Sequence, residues 1–244
     1  HDRLDSGSLV VALAGNPNTG KSTLFNRLTR LNQHTGNWPG KTVLRAVGHC
    51  SYKGENWVIV DLPGTYSLLA NSIEEQIARD FICFGRPNAT VVVVDATCLE
   101  RNLNLVLQVT EITTKVVICL NLMDEARRKH ISIDVERLAE ETGIPVAPTV
   151  ATTGEGLHEL KETIHRVSSG LLIPRPRPVV YHETIETALA QLERAAAQSR
   201  LLQRKELTLD APGHGFEHLV ARRLLQEPHQ RLDVGADPGL ADSP

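Results

Sequence analysis

The feature that most constrains this chain is an apolar segment that runs directly into a glycine-rich loop. Residues 9–14 read Leu-Val-Val-Ala-Leu-Ala, residues 15–22 read Gly-Asn-Pro-Asn-Thr-Gly-Lys-Ser, and a helical pattern follows at residues 23–28. A G-x-x-x-x-G-K-S loop between a strand and a helix is typical of a phosphate cradle, because its N–H groups and the helix N-terminus face an anion. A plain glycine turn beside an exposed lysine is the alternative. The residues predicted to bind phosphate are Gly15, Asn16, Asn18, Thr19, Gly20, Lys21, Ser22 and Thr23.

Three later apolar runs, at residues 57–60, 90–94 and 116–120, are rich in β-branched side chains. Because they are apolar at consecutive positions, both faces of each strand are expected to be buried, as in a parallel sheet covered by helices. A weaker run at residues 146–150 completes the set. Helical spacing appears between the runs at residues 74–84, 101–112 and 156–167. The alternation predicts an α/β fold with a mostly parallel, doubly wound sheet and a ligand crevice at the carboxyl ends of its strands.

The texture of the sequence changes at residues 174–178, which read Pro-Arg-Pro-Arg-Pro. Alternating proline favours a stiff, extended connector, and a surface turn inside one domain is the alternative. We predict a first domain at residues 1–173, a linker at 174–178 and a small all-α domain at 179–244. Helical patterns at residues 182–203 and 216–226 support the all-α domain.

A second motif, Asp61-Leu62-Pro63-Gly64, ends the run at residues 57–60. A carboxylate placed there is suited to hold Mg²⁺ and its water shell, and the Gly64 N–H is suited to meet a γ-phosphate. With Lys21 reaching the β- and γ-phosphates and Ser22 ligating the metal, these groups form a nucleoside triphosphate site. The glycine-rich segment at residues 35–43 is predicted to be mobile. Thr42 within it is one candidate for a further Mg²⁺ ligand, although any loop threonine is eligible on this evidence alone.

The run at residues 116–120 ends in Asn121-Leu122-Met123-Asp124, an N-x-x-D motif. The Asp124 carboxylate can accept two hydrogen bonds from guanine N1–H and the exocyclic amine, whereas adenine leaves it unpaired at a cost of about 1–3 kcal/mol. The alternative is an N-terminal cap of the next helix. Leu122 stands where a lysine is usual. Predicted base contacts are completed by Val150, Ala151 and Thr152, with the Ala151 N–H meeting guanine O6.

Composition excludes several classes of function. The net charge of −3 and a pI near 6.4 give no reason to expect nucleic-acid binding. No stretch approaches 18 consecutive apolar residues, so no membrane span is predicted. The start lacks Met and an apolar signal core, as expected of a trimmed chain. The four cysteines are interpreted as reduced, core-filling thiols, and the histidines show no ligand spacing that would make them iron ligands.

Four segments together resemble the amino-terminal cytosolic part of the FeoB family of prokaryotic ferrous iron transporters. They are Gly15-Asn16-Pro17-Asn18, residues 36–43 (Gly-Asn-Trp-Pro-Gly-Lys-Thr-Val), residues 61–68 (Asp-Leu-Pro-Gly-Thr-Tyr-Ser-Leu) and residues 95–103 (Asp-Ala-Thr-Cys-Leu-Glu-Arg-Asn-Leu). The resemblance covers residues 8–170. It implies a P-loop GTPase domain that binds GTP and GDP, followed by a helical domain that inhibits nucleotide release.

The resemblance also implies partners and a location. A membrane iron-permease region follows in the family, and a small accessory protein of the same transport system is a further candidate partner. The expected place of this chain is the cytoplasmic face of the bacterial inner membrane. Oligomerisation is left open by the sequence.

Residue roles follow from the same resemblance. Thr42 becomes the metal-bound switch threonine, and Asn18 with the carbonyls of Gly36 and Trp38 becomes a potassium site. A loop-bracing hydrogen bond is the alternative for Asn18. Thr65 stands where many G proteins have a water-orienting glutamine, so slow hydrolysis is expected, with Lys21, Thr42 and Gly64 as the catalytic groups. Lys41 and Leu44 also depart from the family pattern, with effects that the sequence does not define.

Three functions are compatible with these motifs. The first is a GTPase switch that regulates or powers ferrous iron uptake through the membrane region. The second is a GTPase associated with ribosome assembly or tRNA modification, which usually carries a basic appendage, whereas residues 179–244 are roughly charge-balanced. The third is a nucleotide sensor without turnover.

Overall fold

The computed structural model describes residues 8–30, 33–178 and 182–202. Seven strands form one sheet in the order β2-β3-β4-β1-β5-β6-β7. The strands β4, β1, β5, β6 and β7 are mutually parallel, and β2 and β3 add an antiparallel edge. The strand bounds are β1 Leu9–Gly15, β2 Gln33–Asn37, β3 Leu44–Tyr52, β4 Glu55–Asp61, β5 Ala89–Asp95, β6 Val116–Asn121 and β7 Val146–Pro148.

Among the described residues of the first of the chain's two compact units, six α-helices alternate with the strands as predicted from the sequence, and a further helix, α7, belongs to the second unit. Their bounds are α1 Lys21–Thr29, α2 Ile73–Phe84, α3 Leu99–Thr110, α4 Met123–Arg128, α5 Val135–Thr142, α6 Leu157–Ser168 and α7 Glu183–Leu202. Side-chain caps define two of the starts: Ser72 accepts from the Glu75 N–H at 3.2 Å before α2, and Asp134 accepts from the Arg137 N–H at 2.9 Å before α5.

The core lies on both faces of the central strands, which explains their unbroken hydrophobicity. On β1, Ala12 and Ala14 face one cluster, whereas Val11 and Leu13 face the other. This alternation follows from the two-residue period of a strand. Helices α2 and α3 cover the first face, and α1 and α6 cover the second. The predicted α/β class and mostly parallel doubly wound sheet are therefore confirmed.

Three details of the sequence interpretation are wrong or incomplete. Residues 33–37, partly assigned to a mobile segment, form edge strand β2, paired with β3 in the register Thr35↔Ala46. Helix α5 was not predicted, since it buries none of its residues and contains only two large apolar side chains, Val135 and Leu138. Cys98 is exposed, so the core-filling interpretation fails for that thiol, although Cys119 is fully buried.

The chain divides into two compact units between residues 181 and 182. In the first unit, the Arg175 N–H donates to the Gly143 carbonyl and the Arg177 N–H donates to the Thr142 carbonyl, each at 3.0 Å. The proline-rich segment therefore lies along the end of α5. In the second unit the structure describes helix α7. The helix predicted at residues 216–226 lies outside the described residues, so the domain division at 173 and 179 stays a prediction.

Within the three described ranges, no helix combines the length and the apolar character needed to span a bilayer.

Candidate functional site

The loop between β1 and α1 has the backbone geometry of an anion cradle. Asn18 (φ 67°) and Gly20 (φ 81°) adopt left-handed conformations that turn successive N–H groups toward one side. The Thr19 hydroxyl donates to the Asn16 carbonyl at 3.0 Å and braces the loop from within. At the start of the loop, a Cβ on Gly15 would lie 2.7 Å from the Val93 carbonyl oxygen, so only glycine allows β1 this close to β5.

The Asn16 side chain carries polar atoms that the described protein atoms leave unsatisfied. The residue is only 3% exposed, and neither its Nδ2 nor its Oδ1 has a hydrogen-bond partner. Buried donors and acceptors are costly unless something pairs with them. An orphaned carboxamide beside the cradle therefore fits a loop that receives a polar ligand.

Lys21 connects the cradle to the end of β4. Its buried ammonium forms an ion pair with the Asp61 carboxylate and donates to the Leu62 carbonyl at 2.6 Å. The parallel register Leu13↔Asp61 carries Asp61 to this position. Burial raises the pKa of Asp61 above its ordinary value, and the Lys21 ammonium opposes that rise. Lysine and carboxylate thus lie together at the phosphate end, as the two motifs predicted.

The donor set here suits Mg²⁺. The Ser22 hydroxyl is exposed in the first turn of α1, and Asp61 supplies a carboxylate from the next strand. Both are hard oxygen donors of the kind that Mg²⁺ uses together with substrate phosphates and water. Thr42 is an exposed residue in the turn before β3, and its part as a further Mg²⁺ ligand stays a prediction.

The D-x-x-G segment lies directly against the cradle. A Cβ built on Gly64 would be 3.5 Å from the Pro17 Cα, and the Thr65 N–H donates to the Gly15 carbonyl at 3.2 Å. The Thr65 side chain is buried, and its hydroxyl donates to the Ser67 carbonyl at 2.7 Å. The hydroxyl at the position of the usual glutamine is therefore engaged within its own loop.

Asn121 connects the loop between β1 and α1 to the loop after β7. Its Nδ2 donates to the Thr19 carbonyl at 2.9 Å, and its Oδ1 accepts from the Thr149 hydroxyl at 3.1 Å and from the Ala151 N–H at 3.0 Å. The residue is 0% exposed. A Cβ on Gly20 would collide with the Asn121 amide. Asn121 acts here as an internal brace. Sequence analysis missed Thr149, whose signal would have been a threonine directly before the predicted base loop.

Asp124 carries a buried acceptor without a partner. Its Oδ1 makes no hydrogen bond among the described residues. The N-cap of α4 is Leu122, in a left-handed conformation (φ 62°), and no side chain caps the helix. The capping alternative for Asp124 is therefore wrong. An orphaned carboxylate oxygen at the end of β6 fits a ligand that brings its own N–H donors.

The loop after β7 begins next to the start of α4, where the Met123 N–H donates to the Thr149 carbonyl at 3.3 Å. Val150 and Ala151 are buried, and the Thr152 carbonyl accepts from the Arg27 guanidinium of α1. The Ala151 N–H donates to Asn121, which competes with the contact predicted between this N–H and guanine O6. That contact stays a prediction.

The structure places the remaining predicted residues at the far edge of the sheet. Gly36 lies on β2 opposite Arg45, and the Trp38 carbonyl accepts from the Lys41 N–H at 2.9 Å. The Trp38 ring packs edge-on against Phe81 of α2 at 5.5 Å. Strands β3 and β4 separate β2 from β1, a distance of about 14 Å at the usual strand spacing. Gly36 is thus three strands away from β1, and the assignments of Gly36, Trp38 and Thr42 as metal ligands stay predictions.

Comparison with known proteins decides the family. A family model described as ferrous iron transport protein B matches residues 9–164. The chain belongs to this family. The Fe(2+) transporter FeoB of Salmonella typhimurium is 44% identical over 240 residues, which are 95% of this chain and 31% of that protein. The chain therefore spans about a third of the length of this curated relative, and a smaller share of others that it matches.

Solved FeoB domains show the same fold. The cytosolic domain of L. pneumophila FeoB aligns at 38% identity with a TM-score of 0.73, covering 78% of this chain and 74% of that one. The cytosolic domain of T. maritima FeoB in a GDP form aligns at 35% identity with a TM-score of 0.74, covering 89% and 92%. The sheet of this FeoB family member is thus that of a P-loop GTPase domain.

Proposed function

We propose that the chain binds GTP and GDP and hydrolyses GTP slowly. The observation that carries the proposal is the Asn121 brace, since it joins the phosphate cradle to the turn that presents the unpaired Asp124 oxygen. A single ligand with phosphates at one end and paired N–H donors at the other matches both. Guanine has those donors and adenine does not. The GDP form of the T. maritima relative supports the same ligand.

The proposed division of labour follows from the contacts. Lys21 is poised to exchange its Asp61 and Leu62 partners for phosphate oxygens, and the Gly64 N–H adjoins the cradle where a γ-phosphate would lie. Mg²⁺, held by Ser22 and Asp61 and joined by Thr42, would offset negative charge on the phosphates. Because the Thr65 hydroxyl is tied to Ser67, no side chain at that position activates water, which accounts for slow turnover.

A potassium ion is the proposed supplementary cation. Asn18 lies on the cradle with a left-handed backbone, and the Gly36 and Trp38 carbonyls are oxygen donors of the right kind. To reach Asn18 they must leave the edge of the sheet, so the proposal requires residues 36–42 to move. A cation placed there would offset charge between the β- and γ-phosphates.

For the longer protein, we propose that nucleotide-dependent movement of residues 35–43 and 64–75 regulates or powers ferrous iron passage. The curated relatives are named as Fe(2+) transporters and are about three times as long as this chain. The proposed partner is a membrane iron-permease region, with a small accessory protein as a further partner, and the proposed site of action is the cytosolic side of the membrane. The net charge of −3 disfavours the RNA-associated alternative.

The decisive test is the base preference of Asp124. Wild type should bind GDP in calorimetry with Mg²⁺ and bind ADP at least tenfold more weakly. Asp124→Asn should lose GDP affinity and gain affinity for xanthosine diphosphate, because the amide reverses the donor pattern. Glu136→Gln on α5 serves as a charge-matched surface control. No heat with GDP in wild type, or unchanged GDP affinity in Asp124→Asn, would overturn the proposal. Phosphate release from GTP distinguishes an enzyme from a sensor without turnover.

A further inference from the structure

The segment that follows the D-x-x-G motif is held by helix α3. We define residues 65–69 as the post-glycine segment. This segment contains Tyr66, and the Arg101 guanidinium of α3 lies over the Tyr66 ring. The central carbon of the guanidinium is 4.3 Å from the ring centroid. This is a close cation–π contact between a helix and a loop that is separate in sequence.

A second contact lies two helical turns further along α3. The Gln108 Oε1 accepts from the Leu68 N–H at 2.7 Å. Arg101 and Gln108 are seven positions apart, so they lie on one face of the helix. One stripe of α3 therefore holds two alternate residues of the post-glycine segment, one through its side chain and one through its backbone.

The start of the segment is bound to the cradle instead. The Thr65 N–H donates to the Gly15 carbonyl, and Gly64 packs on Pro17. The segment thus bridges two supports, the phosphate loop at residue 65 and α3 at residues 66 and 68. The position of the Gly64 N–H depends on both.

Helix α3 is itself rigidly attached to the sheet. The buried Asn102 side chain accepts from the Asp95 N–H at 3.4 Å and donates to the Cys98 carbonyl at 2.7 Å. These bonds fix the turn between β5 and α3. Because Asn102 points inward, the neighbouring Arg101 projects from the helix surface, where it meets Tyr66. Residues 95–103 therefore position Arg101 for its contact with Tyr66.

We propose that Arg101 and Gln108 are positioning residues for GTP hydrolysis, which hold the post-glycine segment so that the Gly64 N–H faces the γ-phosphate. The inference rests on the proposed GTPase function. Neither side chain touches the phosphates, so both act through Tyr66 and Leu68. Their loss lowers the rate of the chemical step and leaves the grip on GDP intact, because GDP lacks the γ-phosphate.

The test is single-turnover phosphate release with the chain in excess over GTP and Mg²⁺, so that GDP release does not enter the rate. Arg101→Ala is expected to slow the step about two- to fivefold, and Gln108→Ala about two- to tenfold. The double variant should lose roughly tenfold or more. GDP affinity should stay at the wild-type value, whereas the melting temperature should fall by only a few degrees for each lost contact. Arg128→Ala, an exposed arginine on α4, is the matched control.

Coupling identifies the contact itself. Tyr66→Ala should slow the step as much as Arg101→Ala, and combining the two should add nothing further. Tyr66→Phe keeps the ring face and should restore most of the rate. If wild type releases phosphate but the double variant Arg101→Ala/Gln108→Ala stays within twofold of it, the inference is wrong. A parallel loss of GDP affinity also overturns it, as does an equal loss of rate in Arg128→Ala. If wild type releases no phosphate, the proposed GTPase function fails instead.

Discussion

The Asn121 side chain donates a 2.9 Å hydrogen bond to the Thr19 carbonyl across 102 positions of the sequence. Both residues are buried, at 0% and 2% exposure. Since Oδ1 of the same carboxamide accepts two further bonds, one side chain holds the phosphate loop, the end of β6 and the loop after β7. The distance between the loop proposed to bind phosphate and the residues proposed to bind the base is therefore set by one side chain.

Replacing Asn121 by alanine should cost both stability and affinity. The change leaves the Thr19 carbonyl, the Thr149 hydroxyl and the Ala151 N–H without this partner, and each buried unpaired group costs about 1–3 kcal/mol. Because the Thr149 hydroxyl keeps its 3.2 Å contact with the Cys119 Sγ, two groups are left unpaired, and we expect the free energy of unfolding to fall by about 2–6 kcal/mol in urea denaturation. GDP affinity should fall at least tenfold. Asn104→Ala, on the exposed face of α3, should change neither. Wild-type GDP affinity in Asn121→Ala would contradict the brace.

Gly20 tests the same contact from the opposite side. Its φ of 81° disfavours any L side chain, and a Cβ would also collide with the Asn121 amide. Gly54 has a nearly equal φ of 83° and nothing within 4 Å of its Cβ position. Gly54→Ala should therefore show backbone strain alone, about 1–2 kcal/mol. Gly20→Ala should lose more stability than that and should abolish detectable GDP binding. Equal melting temperatures for the two variants would show that the contact between a Cβ at position 20 and the Asn121 amide does not lower stability.

The sequence identified the parts of the fold that burial controls. Strands β1, β5 and β6 are covered on both faces, so their apolar residues are consecutive and visible. Strand β2 was missed because its residues, Gln-His-Thr-Gly-Asn, include no apolar side chain and pair through the backbone with β3. Backbone pairing at a sheet edge leaves no hydrophobic period to detect.

The candidate site likewise has residues that the sequence predicts and contacts that it does not. Lys21, Asp61 and Asp124 were predictable because each lies in a short motif at a strand end. The bond from the Ala151 N–H to Asn121 and the contact of Arg101 with Tyr66 were not, because they depend on how separate strands and helices are placed. Local spacing specifies which groups exist, whereas the register of the sheet decides which partner each group meets.

Cys98, Cys50 and Cys119 should react with thiol reagents at very different rates in the folded chain. Burial raises the pKa of Cys119 to about 12, against a hydrogen bond with Thr149 that lowers it. At pH 8 about one Cys119 in ten thousand would be thiolate, and the residue is also inaccessible. We expect the exposed Cys98 to react first with a thiol reagent and the half-buried Cys50, whose pKa burial also raises, to react later.

Cys119 also has a consequence for stability at high pH. The unfolded chain ionises this thiol near pH 9, whereas the folded chain keeps it protonated to about pH 12. Between pH 9 and 12 the folded state therefore binds more protons than the unfolded state. The contribution of Cys119 to the free energy of unfolding is complete below pH 9 and is lost as the pH rises from 9 to 12. Cys119→Ala should flatten the decline between pH 9 and 11 relative to wild type. Labelling of Cys119 ahead of Cys98 at pH 8 would contradict its burial.

Trp38 should report the movement that the proposed potassium site requires. The chain has two tryptophans: Trp57 is 0% exposed in the core, and Trp38 packs against Phe81 with Arg45 over its ring at 5.5 Å. If residues 36–42 move toward Asn18, the Trp38 ring leaves this apolar contact. We therefore expect its emission to shift to longer wavelength with a non-hydrolysable GTP analogue, Mg²⁺ and K⁺, and to stay unchanged with GDP. Trp38→Phe, which leaves only Trp57, should abolish the shift. An equal shift when Na⁺ replaces K⁺ would show that residues 36–42 move without a specific potassium site. No shift with either ion would show that these residues stay at the edge of the sheet.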